Sequence, residues 1–329
     1  MSWLSGIDES APWLPFFLSI FLIGLPHGAA DWLLLRPRSR ASGFRYFLLY
    51  SLAGAVIVVL AALFPTVVII SFLLLTIIHF GLADERDLRA FAGPSRPLPP
   101  FPFGGIARIG VFLGLICWLD PVPVAALFGR VERLLGGSDD GGLLLEWISL
   151  GAPIGLSLSL VAWILSMFAS VGPEQRARDG GAVRRLVVEL SEGTLLVAAA
   201  FLLEPVFAVG LYFLCWHAWR HSFLIADRVD GESSRWKKLG LLHVRSWPLY
   251  LPVLPAMAWL VFAFGEAGSP ADWVAALLVV CIVFTLPHHL IVERKLVGSE
   301  ADSRRQSGSA GSSNPVAGGP SADFSVTTR

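Results

Sequence analysis

Charge is scarce in this chain: only 15% of its 329 residues are Asp, Glu, Lys or Arg, while 55% are hydrophobic. Soluble domains carry about a quarter charged residues, so the composition excludes an ordinary soluble fold and makes lipid the expected solvent. The charges present cancel, 25 basic against 25 acidic. There is thus no basic excess to bind nucleic acid and no acidic excess for a solvating tail. Cysteine is rare as well. Cys117, Cys215 and Cys281 all fall inside apolar runs, where a thiol behaves as a small hydrophobe, so neither a disulfide framework nor a metal–thiolate site is expected. The N-terminal residues lack a basic stretch and an obvious small-residue cleavage site, so the first apolar run is expected to stay as a helix rather than leave as a signal peptide.

What is present are long apolar runs. A helix needs roughly 20 apolar residues to span a bilayer, and such runs lie at 13–35, 45–64, 67–83, 106–128, 143–170, 184–203, 206–226, 246–264 and 272–293. The expectation is an all-α, polytopic transmembrane helical bundle of eight or nine spans. The sixth run is the weakest, because Arg184, Arg185, Glu189 and Glu192 crowd its first half. With nine spans and the N-terminus outside, 22 of the 25 basic residues fall in cytoplasmic segments, as the positive-inside rule requires. The expected location is therefore the cell (inner) membrane, multi-pass, with a cytoplasmic C-terminus. Residues 1–297 read as one membrane-embedded catalytic domain. Residues 298–329, rich in Ser, Gly, Ala and Asp, read as a disordered cytoplasmic tail. The proline-rich stretch 93–102 reads as a semi-rigid connection.

Six of seven histidines, His27, His79, His217, His221, His288 and His289, lie in these runs; His243 lies in a basic loop and is set aside. The first, third, seventh and ninth spans run in the same direction and carry all six. Counting to the next cytoplasmic arginine gives nine residues from His27, seven from His79, seven from His221 and six from His288. At 1.5 Å per residue the imidazoles share a layer about 10–15 Å below the boundary. His217 and His221 stand at i, i+4 and so on one helical face, a common way to supply two metal ligands. Ionisable groups in hydrocarbon are costly and default to a functional reading, although any one of them also fits a neutral ring bonded across helices.

Two carboxylates accompany them. Asp31 follows His27 by four residues and Asp84 follows His79 by five. Either could orient a ligand ring through its second N–H, and Asp84 equally fits an interfacial carboxylate. Arg220 either pairs with a carboxylate or extends its head group toward the surface. Glycine and proline flank the histidines in Gly24-Leu-Pro-His-Gly28, Phe80-Gly81 and Thr285-Leu-Pro-His-His289, permitting kinks and close helix approach. The 22 Phe and 12 Trp suit a greasy planar substrate and suit interfacial packing as well.

The strings Gly24-Leu-Pro-His-Gly-Ala-Ala-Asp31, Ile78-His-Phe-Gly-Leu-Ala-Asp84, Trp216-His-Ala-Trp-Arg-His221 and Thr285-Leu-Pro-His288 resemble the Brp/Blh family, bacterial and archaeal beta-carotene 15,15'-dioxygenases. The resemblance runs from the first span to the ninth. It implies a membrane enzyme that splits beta-carotene at its central double bond with Fe(2+) and O2 to give two all-trans-retinal. It further implies iron ligation by His27, His79, His217 and His221, and His288 matches another family histidine; Asp31 and Asp84 stay supporting positions on their spacing alone. The first string has Ala30 where the family pattern has Leu, a packing change beside His27. Membrane lipid is the expected surrounding, and a retinal-binding rhodopsin the expected downstream partner.

Four neutral imidazoles suit iron's borderline preference for nitrogen and leave positions open for O2. A forty-carbon polyene dissolves only in lipid, so a site between helices receives it without crossing water, and a dry slot of fixed depth presents one bond to the metal. Two rivals use the same residues. A histidine-box desaturase or hydroxylase needs about eight ligands for two metals, including His-x-x-His-His boxes absent here. A transporter or proton- or metal-conducting protein would use the histidines as a relay. A retinal Schiff base is excluded, since Lys237, Lys238 and Lys295 all lie in or beside polar segments.

Overall fold

The computed structural model describes residues 13–29, 40–92, 103–137, 141–170, 180–229, 234–266 and 268–310. The chain there is all-α. Helix α1 (Leu14–Ser19) passes through a π turn, Ile20–Gly24, into α2 (Leu25–Ala29); α3 is Arg40–Leu63, α4 Pro65–Ala92, α5 Phe103–Leu119, α6 Pro121–Leu134, α7 Gly142–Ser170 and α8 Gly180–Leu202. Helix α9 (Pro205–Tyr212) passes through a second π turn, Phe213–His217, into α10 (Ala218–Val229), followed by α11 (Arg235–Tyr250), α12 (Val253–Phe264) and α13 (Pro270–Ala310). Many starts follow one rule. Pro65, Pro121, Pro205 and Pro270 open their helices, where a missing N–H costs nothing and the fixed φ already suits the first turn.

Four helical stretches are long and apolar enough to cross a membrane: Phe44–Leu63, Pro65–Leu88, Gly142–Phe168 and Pro270–Ile291. Their outward side chains are greasy, with Phe168 72% exposed, as a lipid-facing surface requires. The protein is thus a multi-pass membrane protein. Several of the nine expected spans take other forms. The run at 106–128 is two helices, α5 and α6, bent by 97° where Asp120-Pro121 interrupts it, and counting that pair as one gives five. The run at 184–203 is one helix, but its four charges keep it from reading as a span. The runs at 13–35 and 206–226 are broken by π turns, and the apolar part of 246–264 is the 12-residue α12. The supposed loop holding His243 is helix α11. Helix α13 continues past the change in composition near residue 298, to Ala310.

Two close approaches set the packing. A Cβ on Gly81 would lie 2.3 Å from the Ile106 Cα, and one on Gly105 would lie 2.2 Å from the Gly81 carbonyl oxygen. Antiparallel α4 and α5 therefore touch backbone to backbone two residues beyond His79, and only glycine fits there. On the other side, a Cβ on Gly210 would lie 2.4 Å from the Phe16 nitrogen, and one on Gly24 would lie 2.9 Å from the Phe213 ring. These contacts align α1–α2 with α9–α10 in parallel. His27 follows Gly24 by three residues and His217 follows Phe213 by four, so the two backbones reach one level.

Candidate metal centre

Five histidines converge where α4, α10 and α13 meet beside the second π turn. His79 is the hub: its ring centroid lies 5.3 Å from His217, 5.8 Å from His221, 5.0 Å from His288 and 5.3 Å from His289. His217 and His221 stack 5.8 Å apart with planes 10° from parallel, as their i, i+4 spacing dictates, and His221 lies 5.8 Å from His288. His79, His217, His221 and His288 are all buried. The sequence-expected cluster thus forms from three of its four ligand positions, with His288 and His289 added. For His27 the structure gives the helix position and not the side chain, and Asp31 lies outside the described residues.

An ion bound by imidazole nitrogens at about 2.1 Å sets neighbouring ring centroids roughly 4.5–6.5 Å apart. The observed separations fall inside that window, so the donor set fits a borderline divalent ion. Among the described residues, however, no three histidine, cysteine or carboxylate groups form a closed metal site as they stand. The nitrogens account for this: the His79 Nδ1 and His289 Nδ1 atoms face each other at 3.1 Å. Rotating an imidazole about Cβ–Cγ moves its nitrogens far more than its centroid, and that torsion is soft. Convergence of the centroids is therefore the stronger indicator.

Aromatic rings hold the cluster from one side. The Phe80 ring lies 4.0 Å and the Phe213 ring 5.3 Å from His217. Tyr212, packed against Phe80 and Phe112, carries the contacts onward by donating its hydroxyl to Asp84 at 3.1 Å. Asp84 does not reach a histidine in any contact found among the described residues. It instead meets Arg108 at 3.5 Å; Arg108 meets Glu192 at 3.4 Å, and Glu192 accepts a hydrogen bond from Arg220. Arg220 thus pairs with a carboxylate rather than reaching for the surface alone. These contacts join α4, α5, α8 and α10, two arginines against two carboxylates. Of the charges that weaken the sixth apolar run in the sequence, Glu192 is here the partner of buried Arg108 and half-buried Arg220; burial of Arg108 without partners would be prohibitive.

His243, set aside from the sequence, also bears on the site. Its Nε2 lies 2.6 Å from the Leu22 carbonyl and its Nδ1 2.9 Å from the Leu239 carbonyl. Pro26, one residue before His27, has no N–H to give the Leu22 carbonyl four residues earlier, and the imidazole of α11 meets that oxygen. The signal legible in the sequence was the proline, not the histidine.

A cavity of about 420 Å³ opens against the cluster, with His79 and His288 in its wall. Its other walls are overwhelmingly apolar, from Phe16 and Ile20 on the first helix to Phe72, Phe128 and Phe284.

A multi-helix membrane protein with a buried histidine cluster opening onto an apolar cavity of this size belongs to the class of membrane enzymes that act on lipid-soluble substrates. The chain belongs to the beta-carotene 15,15'-dioxygenase family, whose model matches residues 18–294. It is similar to the protein named probable beta-carotene 15,15'-dioxygenase Blh of Halobacterium salinarum (strain ATCC 700922 / JCM 11081 / NRC-1), with 27% identity over 310 residues, covering 87% of this chain and 85% of that one. No solved structure matches.

Proposed function

We propose that this enzyme binds one Fe(2+) at the histidine layer through His27, His79, His217 and His221, and uses O2 to cleave beta-carotene into two all-trans-retinal. The observation that carries the reading is the convergence of rings from three separate helices on the wall of an apolar cavity. The overall change needs no outside partner: one C=C bond and the O–O bond break, two C=O bonds form, and each aldehyde takes one oxygen atom. No proton or external electron enters. When bound, the iron supplies the electron exchange that lets O2 react with a closed-shell polyene.

The protein's own residues do the rest. The apolar walls replace water around the polyene and keep the site dry. Phe80 and Phe213 fix the His217 ring. His288 and His289 support the cluster from α13, with His289 orienting His79 through the contact between their Nδ1 atoms. Asp84 holds the helix carrying His79 through Arg108 and Tyr212. Asp31, four residues beyond His27, is the proposed partner of that ring.

In the same reading the chain crosses the inner membrane eight or nine times, N-terminus outside and C-terminus cytoplasmic. The short apolar helices Leu14–Gly24 and Val253–Phe264 support the count when taken as spans together with α8 and the α9–α10 run. Residues 1–297 form the catalytic domain and 298–329 a cytoplasmic tail. A retinal-binding protein such as a rhodopsin consumes the product.

The test is expression in bacteria that accumulate beta-carotene, with extraction of pigments and iron analysis of the purified protein. Retinal from the parent, its absence from His217→Ala, and one iron per chain are expected. Two irons per chain, or unchanged carotene with well-expressed, iron-loaded protein, would overturn the reading.

A further inference from the structure

The bend at Asp120 places a helix across the end of the cavity. Helix α5 runs antiparallel to α4, with Gly105 against Gly81 and Gly110 facing Ile77. Helix α6 leaves it at 97° and so lies transverse to the bundle. Pro123, Val124, Leu127 and Phe128, at i, i+1, i+4 and i+5 on one helical face, all line the cavity. Just beyond them α6 is fastened at two points. Arg130 meets Asp272 at 2.6 Å near the start of α13, and Thr66 donates to Glu132 at 2.7 Å near the start of α4.

Those fastenings measure how far α6 stands from the histidines. Thr66 precedes His79 by 13 residues on α4 and Asp272 precedes His288 by 16 on α13, so at 1.5 Å per residue α6 lies about 20–24 Å from the histidine layer by either route. A helix with its side chains has a radius of about 5–6 Å, which leaves about 14–19 Å of clear length. One half of an extended forty-carbon carotenoid, from its central bond to the far edge of its ring, is about 15 Å at ordinary bond lengths and falls within that range.

We propose that α6 is the stop that sets which bond is cut: an end ring of the carotenoid rests on Val124, Leu127 and Phe128, and the central double bond then lies at the histidines. The inference rests on the proposed cleavage at that layer. Central cleavage follows from the length of the cavity, because the histidines have no means of distinguishing one conjugated double bond from the next. The residues of the stop are therefore specificity-determining and do not touch the reacting atoms. Deepening the stop admits the ring further and moves the cut toward the opposite end. One long and one short aldehyde then form where the parent gives two equal ones.

The experiment uses the full chain in carotene-accumulating cells, with aldehydes separated by chain length and iron measured on each purified protein. Phe128→Ala deepens the stop. Because removing a buried ring can cost the fold, Leu127→Ala deepens it less and Val124→Ile raises it by one carbon. Unequal aldehyde pairs forming at least about a tenth of the product from Phe128→Ala or Leu127→Ala are expected, and Val124→Ile should lower turnover without lowering iron content. Retinal as the sole aldehyde from both alanine variants, with iron retained, would overturn the proposal. The cleavage reading fails separately: parent protein that forms no retinal defeats it, whereas a retinal-forming parent with unmoved variants defeats only the stop.

Discussion

Among the described residues, two sets of ion pairs stand at opposite ends of the cavity, one a network of four groups and the other a single pair. Behind the histidines, Arg108 is 1% exposed and sits between Asp84 and Glu192, with Arg220 closing the chain. At the opposite end of the cavity, Arg130, 33% exposed, meets buried Asp272, its one charged partner among the described residues, with Ser269 3.4 Å away. The first set ties together helices that must present rings to one point. The second ties down a single transverse helix. A buried pair gives little net stability, but removing one partner strands the other, so the inner set specifies one arrangement of helices by making the alternatives costly. The outer pair is mixed: its arginine reaches solvent, but Asp272 is buried and also accepts a hydrogen bond from the Glu266 backbone N–H, so it keeps one partner when the arginine is lost.

The sharpest way to break this contrast is Arg108→Met. It should cost about 3–5 kcal/mol and abolish iron retention, read by thermal unfolding in detergent and metal analysis; an unchanged melting temperature with full iron would mean the inner set does not fix the histidine helices. Next, His289→Ala should weaken metal binding about 10–100-fold, measured by chelator competition, with partial recovery in His289→Gln. Affinity equal to the parent's would remove His289 from the support of His79. Arg130→Met at the other end should cost less, about 1–3 kcal/mol, because buried Asp272 keeps the Glu266 backbone N–H, and should keep the iron; a loss as large as that of Arg108→Met would erase the distinction between the two sets. Smallest is Thr66→Val, expected to cost about 1 kcal/mol in the same unfolding assay; a larger loss would make the second fastening of α6 the dominant one.

The histidine layer was legible because helical geometry is local. Counting residues to the nearest arginine fixes depth, and the i, i+4 pair fixes a face, so His79, His217, His221 and His288 could be brought together on paper. The glycine at 81 also announced close packing, and the backbone contact with Gly105 is what such a residue allows. What sequence spacing could not supply were pairings set by tertiary contact. Glu192 reads as a defect in an apolar run until Arg108 and Arg220 are seen beside it. Asp84 sits near His79 in sequence, yet its contacts point to Arg108 and Tyr212. Apolarity alone cannot reveal that the run through Asp120 turns at a proline, because both arms remain greasy. His243 looked peripheral because its partner, the Leu22 carbonyl, is 221 residues away.

The π turn at Phe213–His217 carries one more residue than the α-helical turn it replaces. It therefore works as a phase setting between the two halves of its helix. Returning the turn to α geometry with all its residues kept would swing everything beyond it by about 100° around the axis. His217 and His221 would keep their mutual spacing, yet both would aim away from His79. Deleting one residue as the turn reverts cancels that swing, so a relative one residue shorter between Gly210 and His217 would keep its centre with no π turn at all.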